Sequence, residues 1–256
     1  MSKRSRFFSS SNPFLSENAF AKSTEAPLDS FSLGSSKATH MTVSGAVNKS
    51  LLLGAILLVT GFLGAMLMNP ILMWVGIIGG LVSVCITYFR PTNAPFTAPL
   101  YAAFEGLALG TISGIFADAL GAGVVINSLL LTMLALFTML ILYRTGIIKP
   151  TEKFRSVVTT ATGAIAMMYM VNLVMHMFGS GIPYLHEMNF IGVGISLLII
   201  GVASLNLILD FDQFEKGERM QAPVYMEWMA ALGLMVTLVW LYIEILRLVA
   251  MFSSND

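Results

Sequence analysis

The sequence predicts an all-α membrane protein: a seven-transmembrane-helix bundle with its N-terminus inside and its C-terminus outside. Three observations carry that reading. Of 256 residues, 56% are hydrophobic and only 11% charged, with mean hydropathy +0.81; a soluble domain has roughly 45–50% and about 25%. The apolar residues fall into seven runs, each near the ~20 residues a helix needs to cross a hydrocarbon core of about 30 Å. Lys and Arg are also segregated by side.

Residues 1–43, rich in Ser, Asn and Lys, have no run long enough to bury and are expected to form a disordered cytoplasmic tail. Lys3, Arg4 and Arg6 are followed by Phe-Phe-Ser-Ser-Ser-Asn-Pro, not by the apolar stretch of a signal peptide. The transmembrane domain then occupies residues 44–256. Its first span is 50–68, turned by Asn69-Pro70 into a second, 71–89, and Arg90-Pro-Thr-Asn-Ala-Pro closes that hairpin. Further spans are 96–120, 124–143, 156–178, 190–210 and 226–251, separated by Gly, Pro, Asn and charge. With the N-terminus inside, 13 of the 14 Lys and Arg lie in the tail and inner loops; the outer loops hold Asp118, His186 and Glu187, and Arg247 sits near the outer end of the last span. This orientation predicts that a reporter working only outside the cytoplasm is active when fused after Asp256.

Several function classes are excluded at this level. Fourteen basic residues balance fourteen acidic ones, and no basic stripe interleaves with aromatics, so nucleic acid is not a partner. The lone Cys85 sits in an apolar context and reads as a packing residue. Eighteen methionines read as adaptable filler, since none clusters with His or Cys as a metal site would require. His176 and His186 lack ligand-spaced partners and read as interfacial. Gly110-Thr-Ile-Ser113-Gly114 has the wrong spacing for a serine nucleophile turn and lies within a helical run, so no enzyme is expected. Gly106, Gly110 and Gly114, with Gly76 and Gly80, form small-residue stripes that predict close helix packing inside the bundle.

Ionisable groups at membrane depth are functional candidates because lipid disfavours them. Glu105 lies about nine residues, roughly 13 Å, into the third span. Asp210 is expected to end the sixth helix, where the dipole disfavours a carboxylate; either Arg90 or Arg219 pairs with it, or it carries a proton part of the time. Asp212, Glu215 and Glu218 read as a solvated acidic edge. Glu227 opens the seventh helix and complements its dipole. Glu244 and Arg247 are spaced for a local i,i+3 pair or an outer gate.

Taken in order, the seven spans, the segment Tyr88-Phe-Arg-Pro-Thr-Asn-Ala-Pro leading into Phe104-Glu-Gly-Leu-Ala-Leu-Gly, the ending Leu-Ile-Leu-Asp210-Phe-Asp-Gln and the closing Thr237-Leu-Val-Trp-Leu-Tyr-Ile-Glu-Ile-Leu-Arg-Leu resemble the Bax inhibitor-1/YccA-like family. Met41-Thr-Val-Ser-Gly-Ala-Val-Asn-Lys-Ser and Glu227-Trp-Met-Ala-Ala look like its bacterial branch. The resemblance covers roughly residues 41–251. It implies a pH-sensitive calcium leak in the inner cell membrane, with no cofactor, Ca²⁺ as permeant ion, and the seventh helix surrounded by the other six. It also implies a proton sensor made of two aspartates from helices six and seven. Asp210 matches the first; with Arg247 placed on the family's closing arginine, the second position falls on Thr237, which cannot titrate. Glu105 is then the expected substitute, with Glu244 a further candidate and Asn206, one turn from Asp210, steadying it. The competing expectation is a non-conducting modulator that binds another membrane protein, such as a quality-control protease. A secondary transporter ranks last, since paired broken helices are not evident.

Overall fold

The computed structural model describes residues 40–179 and 190–253. Most of the expected tail, and with it His186, Glu187 and residues 254–256, lie outside the described residues. Seven long helices follow one another: α1 (Val43–Leu67), α2 (Pro70–Phe89), α3 (Ala94–Leu120), α4 (Ala122–Arg144), α5 (Glu152–Met177), α6 (Phe190–Arg219) and α7 (Tyr225–Ser253). Each is long and apolar enough to cross a membrane. A 3-10 turn, Pro91–Asn93, joins α2 to α3.

Local chemistry sets the boundaries. Thr42 caps α1 by accepting from Gly45 N, and Met68 ends it in the left-handed region at φ 40°. Asn69 then caps α2 through Ile71 N, with Pro70 at its first position, where a missing N–H costs nothing. Thr151 caps α5. Gly121, at φ 90°, lets α3 turn at once into α4.

The spans agree with the sequence reading except at two ends. α1 begins at Val43, seven residues before the apolar run, and α6 continues nine residues past Asp210. The extension of α6 is held by Asp212–Lys216 (3.5 Å) and Glu215–Arg219 (2.9 Å) pairs at i,i+4 spacing, which support a helix that hydropathy alone would end. Asp210 is therefore an interior residue, and the helix-end dipole argument does not apply to it.

The end of the bundle where α1 begins is called the near end below. α3 runs parallel to α1 and antiparallel to α2, and its glycines set both contacts. A Cβ at Gly110 would lie 2.6 Å from the Gly61 carbonyl carbon, one at Gly114 2.8 Å from Ala65 O, and one at Gly76 2.9 Å from Ala108 Cβ. With no hydrophobic drive between helices in lipid, such backbone approach supplies the van der Waals contact that holds them. The stripes are thus intramolecular seams, as expected.

α7 occupies the centre. Of its most apolar 18 residues, 83% are buried, against 17–50% in the other helices. The principal core joins Leu53 of α1, Tyr101 of α3, Leu207 and Phe211 of α6, and Met229, Leu232 and Leu241 of α7. Outward faces carry Leu58, Phe62, Trp74, Ile78, Leu134, Phe137, Met167 and Leu173 exposed, an apolar surface suited to acyl chains.

Candidate functional site

Asp210 points from α6 into the bundle at 2% exposure, and Thr237 of α7 faces it at 7%. The Thr237 side chain stands beside the Asp210 carboxyl group, and its hydroxyl donates to the Gly233 carbonyl at 3.2 Å. Among the described residues, carboxylate oxygen Oδ2 has no hydrogen-bond partner. A threonine hydroxyl has one proton, so two arrangements are available. With an ionised carboxylate, Thr237 donates to Asp210 and releases Gly233. With a neutral carboxyl group, Asp210 donates to Thr237, which in turn donates to Gly233. The contact survives in both, but the direction of the chain reverses.

Neither arginine expected beside Asp210 is there. Arg219 pairs with Glu215, Arg90 is exposed at the end of α2, and among the described residues no Lys or Arg pairs with Asp210. The lengthening of α6 explains the first miss: Arg219 is nine residues, or about 13 Å, further along the helix.

Glu105 is half-buried and stands against α2, its Oε2 2.6 Å from the point a Gly80 Cβ would occupy, one turn from buried Tyr101. It shares no contact with Asp210 among those described. α3 meets α7 instead through Ser113, whose hydroxyl bonds Tyr242 at 2.6 Å and Leu109 O at 2.7 Å. Asn206 likewise does not steady Asp210: its amide donates to Thr162 of α5 at 2.7 Å and to Val202 O at 2.9 Å.

Glu244 and Arg247 do form the i,i+3 pair, at 2.6 Å, with Glu244 at 3% exposure. Tyr169 of α5 donates to Glu244 and accepts from Arg247 Nη1 at 3.0 Å, while Arg247 Nη2 donates to buried Ser196 of α6 at 3.3 Å. One cluster thus ties three helices together in the far half of the bundle.

Two acids have partners that sequence reasoning did not supply. Asp212 is no solvated edge but an ion-pair partner of Arg155 on α5. Glu227 sits in the first turn of α7 as expected, and it also pairs with Lys49 and accepts from Thr42 N (2.9 Å) and Thr42 Oγ1 (3.1 Å). Glu218 accepts from Val43 N at 3.1 Å, Met41 N donates to Ala222 O at 2.6 Å, and Met41 is buried. The residues just before α1, placed with the tail on composition, are therefore seated on the α6–α7 turn. The signal was available in principle: Thr42 and Val43 begin a helix, and its free N–H groups require acceptors.

No curated protein matches the sequence. Residues 12–254, nearly the whole chain, match the sequence model of one family, described as Bax inhibitor 1 like. With seven membrane-length helices, the last of them buried at the centre, this multi-pass membrane protein belongs to the Bax inhibitor 1 like family.

Proposed function

We propose that the protein is a non-enzymatic, proton-sensitive cation leak, with calcium among the ions it passes, and that the Asp210–Thr237 contact latches α6 to α7 in the closed state. One observation supports this above the rest: a carboxylate at 2% exposure, in an apolar bundle, with no cation paired to it and one oxygen unpartnered among the described residues. An acid so placed without function would be replaced at little cost by an apolar residue, because burying it unpaired costs several kcal/mol. Carboxylate and hydroxyl oxygens are also the ligands that Ca²⁺ accepts. Since Thr237 stands where a second acid is implied by the resemblance, the sensor is a single carboxyl group whose proton sets the direction of the Thr237 bond.

The test is calcium efflux from liposomes holding the purified protein, measured across pH. Asparagine has the shape of the protonated carboxyl group and cannot release its proton. Asp210→Asn should therefore show, at every pH, the flux of the wild type's acid limb. A variant that keeps the wild-type pH profile removes Asp210 from the sensor. Vesicles that pass no cation at any pH overturn the leak and leave the partner-binding modulator as the function.

A further inference from the structure

α5 presents polar side chains at seven-residue intervals: Arg155, Thr162, Tyr169 and His176. Seven residues are about two turns, so the four share one stripe, while Val157, Met167, Met170, Val171 and Leu173 are exposed around it. The stripe extends over about 31 Å, close to the ~30 Å thickness of the hydrocarbon core. Each of its first three members meets a polar group across the seam. Arg155 meets Asp212 of α6, Thr162 meets Asn206 of α6, and Tyr169 meets Glu244 and Arg247 of α7. Asn172, buried at 7%, continues the line toward the far end.

The α1–α3 seam is built on another principle, with glycines against backbone and uncharged hydroxyls shared between carbonyls of their own helix and of the facing one, as in Thr60 to Ile56 O and Ala102 O and Thr111 to Leu107 O and Gly64 O. The α1–α3 seam is packed without charge, whereas α1 meets α7 through the Lys49–Glu227 ion pair at the near end. Three ionisable partners of α5 fall along this one seam, and ionisable side chains within spans face the bundle interior or a water-filled cavity and mark ion pathways. Arg247 Nε, buried in the Tyr169 cluster, has no hydrogen-bond partner among the described residues, so the cluster retains a donor that a water molecule would satisfy. Asp210 lies one turn from Asn206 on α6, which places the latch beside this line.

We infer that the aqueous route across the bundle is the seam between α5 and the α6–α7 pair, with Tyr169, Glu244 and Arg247 as its far-end constriction. Closed, Arg247 occupies the Glu244 carboxylate and Tyr169 bridges both. Displacing Tyr169 uncovers oxygen ligands of the kind a divalent cation takes. The identity of the cargo rests on the leak proposed above; the route does not.

The experiment uses the full-length protein in liposomes, with Cys85→Ser removing the native thiol and single cysteines at Thr162, Asn172 and, as a lipid-facing control, Met170. A charged, membrane-impermeant methanethiosulfonate reports water, because the thiolate that reacts forms only where water reaches it. Thr162→Cys and Asn172→Cys should react at least ~10-fold faster than Met170→Cys under the conditions of greatest flux, and their modification should block that flux. If flux persists while both are as inert as the control, the route lies elsewhere and the leak stands. Reactive stripe positions in vesicles that pass no cation keep the hydrated seam and sink the leak instead. Tyr169→Phe, which removes one hydroxyl and keeps the ring, should raise the leak several-fold; an unchanged rate overturns the constriction.

Discussion

Gly110→Ala and Gly163→Ala are the same substitution in two helices of one protein, and the structure gives them opposite signs. A Cβ on Gly110 would sit 2.6 Å from the Gly61 carbonyl carbon and 2.7 Å from Gly61 Cα. The obstacle is backbone, so no rotamer relieves it and α1 and α3 must separate. Overpacking of this kind costs about 1–3 kcal/mol, a factor of about 5 to 150 in the folding equilibrium at RT ≈ 0.59 kcal/mol. Gly163 lies inside α5 with nothing within 4 Å of an added Cβ. There alanine reduces the freedom of the unfolded chain and should stabilise by about 0.5–1 kcal/mol. Reversible unfolding in mixed micelles, titrated with denaturing detergent, measures both variants against the wild type. Gly54→Ala, also in open space, serves as a second control in α1 itself. Equal midpoints for Gly110→Ala and Gly163→Ala would refute the glycine seam as the element holding α1 to α3.

Other expectations concern the polar contacts. Tyr242→Phe leaves Ser113 still donating to Leu109 O, so its cost should be only about 0.5–1.5 kcal/mol. Ser113→Ala strands a buried tyrosine hydroxyl and should cost about 1–3 kcal/mol in the same unfolding assay. The order of the two is the test, and its reversal would mean that Tyr242 has another partner. Glu227→Gln keeps the acceptor for Thr42 N but leaves Lys49 without its counter-charge. Because Lys49 is 22% exposed, the loss should fall below the ~3–5 kcal/mol of a fully buried broken pair. Protease nicking immediately before α1 should accelerate with it, and unchanged nicking would show that the ion pair does not hold residues 40–42 down.

How far the sequence could be read follows from which physical variables it contains. Span existence rests on hydropathy, which is local, and all seven spans were legible. Helix ends were less so: α1 and α6 extend past their apolar runs because Thr42 caps one and i,i+4 pairs hold the other, signals that hydropathy ignores. Depth along a helix is also local, and it correctly put Glu244 and Arg247 one turn apart. Azimuth is not local. Glu105 and Asp210 were joined by depth alone, yet α3 offers Glu105 to Gly80. The register taken from the resemblance set Thr237 at the second sensor position, and in the structure the Thr237 side chain stands beside Asp210. The heptad of polar residues on α5 was readable as a period, but only the partners on α6 and α7 show which way it faces.

Those partners divide the bundle into two mechanically different halves. α1, α2 and α3 meet backbone to backbone across glycines, and any sliding there forfeits close contacts that lipid cannot replace. α5 is joined to its neighbours by long side chains through Arg155–Asp212, Asn206–Thr162 and the Tyr169 cluster. Such bonds exchange for bonds to water, so separating them forfeits about 0.5–1.5 kcal/mol per neutral hydrogen bond and about 1.5–3 kcal/mol per bond to a charged group once water enters. Water entry therefore offsets most of the loss along the α5 seam and little of it along the glycine seams, where there are few polar groups to satisfy. The clasp of residues 40–43 on the α6–α7 turn ties α1 to α7 at the near end, which fixes α7 to the glycine-packed half. Of the helices bordering Asp210 and Glu244, α5 is then the one whose displacement opens a polar path while leaving the packed half intact.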